Sequence, residues 1–165
     1  MASNAMPGFT PSDPDFEARC RDSFDRQPAM HLIGARISEM RPGFCEVRLA
    51  HRQEVTQQHG FVHGGVLGMI ADSAAGYAAY SLFPADSTVL TVEYKLNLMA
   101  PADVDELLAR GQVTRSGRTL TVVAMDVLGR KAGREVHCAT GLATMICIQG
   151  RPDAARGNSG SEAGR

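Results

Sequence analysis

At 165 residues the chain is long enough for one domain with a sizeable buried core. A formal net charge of −1 argues against a general nucleic-acid or anionic-membrane binder. With 44 % hydrophobic and 21 % charged residues, the composition is that of an ordinary soluble protein.

Residues 1–11 read as a disordered N-terminus. Asp13, Asp15 and Glu17 follow this Pro/Gly-containing start, where a secretion signal needs basic residues and then an unbroken apolar run. Ser12 or Asp13 is the expected cap of a first helix with Pro14 in its first turn. Phe16, Cys20 and Phe24 fall at i, i+4 and i+8, which predicts a short amphipathic helix ending near Arg26, with Pro28 as its stop. Met30 to Met40 reads as a first strand and Phe44 to Ala50 as a second, joined at the Arg41-Pro42-Gly43 turn signal. His51 to Val62 is polar and aperiodic, a loop. Gly65 to Ser81 is a long helix rich in Ala and Gly, with Gly68 and Gly76 costing some propensity, and Pro84 ends it. Small residues all round suit a helix that a sheet approaches closely.

The remainder reads as β structure: Thr88 to Leu98, then Glu106 to Thr114 and Arg118 to Leu128 around Ser116-Gly117, then Glu135 to Ile148. The Gly/Ser/Ala/Arg composition after Gly150 predicts a disordered tail, so 12–149 is the expected domain and 150–165 the tail. Hairpin connections make the sheet antiparallel, and one very apolar helix is what can cover it. The expected fold class is therefore α+β: a curved antiparallel sheet of about six strands around one long central helix, plus a short N-terminal helix. Cys20, Cys45, Cys138 and Cys147 are scattered without a C-x-x-C pair, which fits free thiols in a reducing cytoplasm rather than a disulfide or zinc framework. Val66 to Phe83 approaches membrane-spanning length, but Asp72 and small polar residues interrupt it.

The chain is organised around His59 to Asp72. Backbone N–H groups at a helix start lack intrahelical partners and carry partial positive charge. Gly64 and Gly65 let a ligand approach those donors with no Cβ in the way, a site for an oxyanion in acyl-transfer chemistry. Asp72 is the candidate nucleophile or general base. Its flanks Ile70, Ala71, Ala74 and Ala75 leave no solvated face for a merely polar role. At ~1.5 Å rise per residue, Asp72 lies roughly 10–12 Å along the axis from the Gly64–Gly65 amides. If both serve one site, they come from different subunits of a two-fold oligomer. His59 and His63 sit four apart in a glycine-containing loop without a nearby ligand acid, so no metal is expected.

Gln57, Gly60, His63-Gly64-Gly65 and Asp72 form Q-x-x-G-x-x-H-G-G with an acid nine residues after the His. This resembles the hotdog-fold acyl-CoA thioesterases, with the closest likeness to their PaaI-like branch, related to 4-hydroxybenzoyl-CoA thioesterases. Thr91 to Ala102 and Gly117 to Leu120 also resemble that family, and the likeness covers about Met30 to Ile148. The resemblance implies that the Gly64 amide donates to the thioester carbonyl, while Asp72 of a partner subunit activates or orients water or attacks directly. Gln57, where many PaaI-like members have Asn, would bond the carbonyl or the water; His63 would orient the loop or Gln57; Thr91 would lie near the acid and hold the water. Coenzyme A enters as part of the substrate, with no separate cofactor. Gly65, Arg115, Arg118 and Arg134 are candidates for holding it, although a solvated turn is the plainer reading of the three arginines. A homodimer or dimer of dimers is implied. A non-catalytic acyl-CoA-binding hotdog domain is the alternative, and a hotdog dehydratase or hydratase a third, for which Asp72 lacks an evident His partner. No G-x-S-x-G elbow is present for a serine hydrolase.

Overall fold

The computed structural model describes residues 8–151 and Asp153. Helix α1 spans Phe16–Asp25 and α2 spans Pro28–Ile33. Strands β1 (Arg36–Arg41) and β2 (Phe44–Ala50) form a hairpin, and a 3-10 turn at Gln53–Val55 leads to the long helix α3, Gly64–Tyr80. Strands β3 (Ser87–Leu98), β4 (Glu106–Ser116), β5 (Leu120–Lys131) and β6 (Arg134–Gln149) complete the chain. All pairings are antiparallel in the order β1-β2-β4-β5-β6-β3, so β1 and β3 are the two edges. The expected six-stranded sheet over one long apolar helix is what the chain forms.

The expected strand from Met30 to Met40 is wrong in its first half. Pro28 does not simply stop α1; it occupies the first turn of α2, where its missing N–H costs nothing. Gly34 then closes that helix with φ +76°, its N–H bonded to the carbonyl of His31 at 3.1 Å. The strand begins only at Arg36. Capping of α1 also differs: Asp15 is its N-cap and makes no side-chain cap bond. Ser12 instead donates to the carbonyl of Leu82 at 2.9 Å, and Asp13 accepts from the Asp15 N–H at 3.0 Å and from Arg19 Nε at 2.7 Å. Phe9, in the segment expected to be disordered, packs part-buried against the core. In the expected tail, Asp153 is instead held by Arg26 at 2.9 Å; the calls of disorder on residues 1–7, 152 and 154–165 lie outside the described residues.

Helix α3 buries Leu67, Ile70, Ala71, Ala74, Ala75, Ala78 and Ala79 almost completely. Alanines bury little area each, so the helix gains its stability by lying close to the sheet rather than through long side chains. Gly111 on β4 permits this: a Cβ there would sit 2.4 Å from the Ala74 carbonyl oxygen. At its other end α3 is tied to α1. The Arg19 guanidinium lies 4.1 Å from the Tyr80 ring centroid and donates to the Phe83 carbonyl at 2.9 Å.

Strand β3 runs antiparallel to α3 along the sheet edge. Thr91 pairs with Met145 but Glu93 with Thr144, so Val92 is an extra residue in a bulge. The bulge changes the phase of the strand. Thr91 faces the helix before it, whereas Tyr94 and Leu98 face the helix after it, opposite Gly68 and Gly64.

Candidate active site

Strand β3 and helix α3 build the site from both ends. At one end, the segment from Thr56 to Val62 folds back on itself. The Gln57 N–H bonds the Phe61 carbonyl at 2.8 Å, the Gly60 N–H bonds the Gln57 carbonyl at 2.9 Å, and Gly60 adopts φ +84°. The His59 N–H donates to Gln57 Oε1. That bond commits the amide oxygen of Gln57 and leaves its Nε2 as a donor. The His63 N–H bonds the Val55 carbonyl at 2.9 Å, which fixes how the loop leads into α3.

His63 is the N-cap of α3, and its Nδ1 accepts the Gly65 N–H at 2.9 Å. An accepting Nδ1 places the imidazole proton on Nε2. His63 therefore orients the helix start rather than Gln57, with which it shares no side-chain hydrogen bond among the described residues. Gly65, expected as a ligand donor, has its amide taken up by this cap. Gly64 keeps the expected position: it lines a cavity of ≈ 270 Å³ together with Gln57, Phe61, Leu67, Leu98 and Pro101. Its N–H is the first of the helix and has no acceptor among the described residues. A Cβ on Gly64 would lie 2.8 Å from Leu98 Cδ1, so the backbone is open to a ligand only because the side chain is absent.

At the other end, Asp72 is half-buried between α3 and β3, and Thr91 Oγ1 donates to its Oδ1 at 2.8 Å. Burial pushes the Asp72 carboxyl above its ordinary value, and the Thr91 hydroxyl opposes this by stabilising the charged form. Asp72 and Thr91 line a second cavity of ≈ 360 Å³, separate from that of Gly64. Within one chain the structure thus assembles two groups, Gln57 with Gly64 and Asp72 with Thr91, and does not bring them together.

The three arginines are likewise divided. Arg115 and Arg118 are exposed at the β4–β5 turn, where Leu120 pairs with Ile146 and Ile146 with Leu90, the Asp72 end. Arg134 is exposed at the start of β6, the opposite end, in a surface depression with Asp105, Arg130, Lys131 and Glu135. Sequence reading missed the residues that meet Asp72 across its cavity: Ser23, Arg26 and Gln27 from the N-terminal helices, Tyr77 from α3, and Asp153. No local motif marks them, because tertiary packing alone gathers them.

Among the described residues, no helix is long and apolar enough to cross a membrane. The family model of the thioesterase superfamily matches residues 59–134. A thioesterase family protein of Silicibacter pomeroyi is 41 % identical, over 82 % of this chain and 99 % of that one, with a TM-score of 0.81. The PaaI protein of the Escherichia coli phenylacetic acid degradation operon superposes with a TM-score of 0.74 at 19 % identity, over 84 % of this chain and 96 % of that one, a likeness of fold. A 1,4-dihydroxy-2-naphthoyl-CoA hydrolase of Listeria monocytogenes is 28 % identical over 54 % of this chain and 73 % of its own. The chain belongs to the thioesterase superfamily, has its hotdog fold, and is a thioester hydrolase.

Proposed function

We propose that this hydrolase cleaves acyl-CoA thioesters to the free acid and CoA, at a site shared by two copies of the chain. The observation that carries the reading is the division of the candidate residues between two cavities on one protomer. A two-fold contact along β3 supplies the missing half. Thr91 lies beside Asp72, Leu98 beside Gly64, and the strand position midway between them is Tyr94–Lys95. Antiparallel pairing of two β3 edges about that point sets Asp72 of one copy opposite Gly64 of the other. The edge itself favours such pairing: Leu90, Val92, Tyr94 and Leu98 are 55 %, 56 %, 46 % and 59 % exposed, an apolar strand edge of the kind that solitary proteins blunt.

In this site the Gly64 N–H and Gln57 Nε2 donate to the thioester carbonyl oxygen and stabilise the charge that develops there. The Asp72 carboxylate of the second copy takes a proton from water through Oδ2, while Thr91 holds Oδ1. The water oxygen bonds to the carbonyl carbon, the C–S bond breaks, and the proton passes to the leaving thiolate, giving acid and CoA thiol. Arg115 and Arg118 of one copy and Arg134 of the other flank this site as cations for the CoA phosphates.

The test is thiol release from a panel of acyl-CoA thioesters by wild type and Asp72→Ala. Loss of a carboxylate base lowers kcat by roughly 10²–10⁴-fold. Equal rates for the two proteins overturn the assignment.

A further inference from the structure

The cavity beside Asp72 is walled by the end of α1 on one side and by the start of β3 on another, and Asp153 ties these two walls together. Gly150 follows β6 with φ +66°, a left-handed turn that lets the chain double back. Asp153 then lies against the last turn of α1. Its Oδ2 accepts from Arg26 at 2.9 Å and from the Ser23 hydroxyl, and its carbonyl oxygen accepts from the same guanidinium at 2.8 Å. From the other wall, Thr88 donates to Asp153 Oδ1 at 3.4 Å. Among the described residues, no other side chain hydrogen-bonds to both α1 and β3. Ser23 Oγ also lies 3.0 Å from Tyr77 Oη, so the fastening reaches α3, the helix that carries Asp72.

This fastening is built to release. The Arg26 and Asp153 side chains are 35 % and 30 % exposed, and an ion pair so placed is weak and screened by salt. The other arm of the Arg26 guanidinium pairs with Asp22 one turn back on α1, so Arg26 stays in place when Asp153 leaves. The Ser23 hydroxyl is buried and needs an acceptor. Asp153 supplies it in the fastened state and water supplies it after release, so release admits water to the cavity. We propose, on the reading that Asp72 belongs to a thioesterase site, that the segment after β6 is a strap over the Asp72 cavity. Fastened through Asp153, it closes the cavity on its α1 side; released, it opens a way from solvent to Asp72. A site that binds only in its open state has its affinity lowered by the fraction open, so weakening the fastening raises kcat/KM.

The experiment loosens the strap from each end in the full chain, with Asp153→Ala and Arg26→Gln, and uses Asp22→Asn as the control that removes an Arg26 partner but leaves the strap. Hydrogen exchange of the last turn of α1 reads the fastening without any substrate. The kcat/KM for the acyl-CoA that wild type turns over fastest reads access to Asp72. In Arg26→Gln both rise about threefold, the scale of one half-exposed ion pair, and in Asp153→Ala they rise further. The gap from wild type narrows at about 1 M salt, where screening acts within roughly 3 Å. Asp22→Asn stays at the wild-type values. Melting temperatures are recorded for all three, and where one strap variant unfolds the other decides. Unchanged exchange, a kcat/KM at or below that of wild type, or an equal rise in Asp22→Asn overturns the proposal. Faster exchange in a protein that releases no thiol from any acyl-CoA keeps the strap and removes the hydrolase reading of its cavity. Thiol release with unchanged exchange does the reverse.

Discussion

Thr91 Oγ1 donates to Asp72 Oδ1 at 2.8 Å, and the contact sits one residue before the β3 bulge that turns the strand's later side chains toward the helix. The hydroxyl stabilises the charged carboxylate against a burial that disfavours it. If Asp72 acts as a base, activity falls as pH drops through its raised pKa. Thr91→Val removes the bond to the charged form, so the pKa rises further and the acid limb of the kcat profile moves to higher pH. A pH–rate comparison of the two proteins on one acyl-CoA checks the direction; an unmoved or acid-shifted limb contradicts it.

Stability carries the opposite signature. The folded-state pKa of Asp72 is raised above its ordinary 3.8. Its contribution is thus fully present below the unfolded value and is lost as pH rises through the folded value, because folding then buries charge. Asp72→Asn removes that cost. Its melting temperature is expected to exceed that of wild type at pH 7, with the gap closing toward pH 3, as scanning calorimetry across pH will show.

His63 holds the start of α3 through the backbone. His63→Ala withdraws the acceptor from the Gly65 N–H, and loss of an N-cap costs about 1 kcal/mol. Thermal unfolding is expected to register that loss. Turnover should fall as well, because the Gly64 amide sits one residue past the cap and depends on the same helix start.

Close approach of helix to sheet is tested at Gly111. A Cβ there meets backbone, 2.4 Å from the Ala74 carbonyl oxygen, and backbone cannot rotate away. Gly111→Ala is therefore expected to cost about 1–3 kcal/mol or more, as overpacking does. The same change at Gly64 meets only the mobile end of Leu98. Gly64→Ala should leave the melting point nearly unchanged while obstructing the ligand's path to the amide. Chemical denaturation of the two variants separates the cases.

The order of strands around α3 was legible because period-two alternation and turn residues are local signals, and Gly64–Tyr80 is long and apolar. Helix α2 was not, since six residues are too short for helical periodicity and Leu32, Ile33 and Ile37 imitate a strand. Pro28 and Gly34 were its true markers. The candidates Gln57, His63, Gly64, Asp72 and Thr91 come from the spacing shared with a family, and of these Thr91 and Asp72 are in contact. The role of His63 was not legible, because a ring nitrogen capping Gly65 has no trace in spacing. Gln27, Tyr77 and Ser23 lie on three different helices or helix ends, and only the packing of α1 against α3 brings them to one cavity.

On the proposed mechanism, one site needs Asp72 from one copy and Gly64 from another. The direct measurement is activity after co-expression of Asp72→Asn with Gly64→Val, each inactive alone. A mixed dimer then contains one intact site and one doubly altered site. With random pairing, half the dimers are mixed and each has half its sites, so activity recovers to roughly a quarter of wild type. Activity no greater than that of the two variants kept apart would contradict the account.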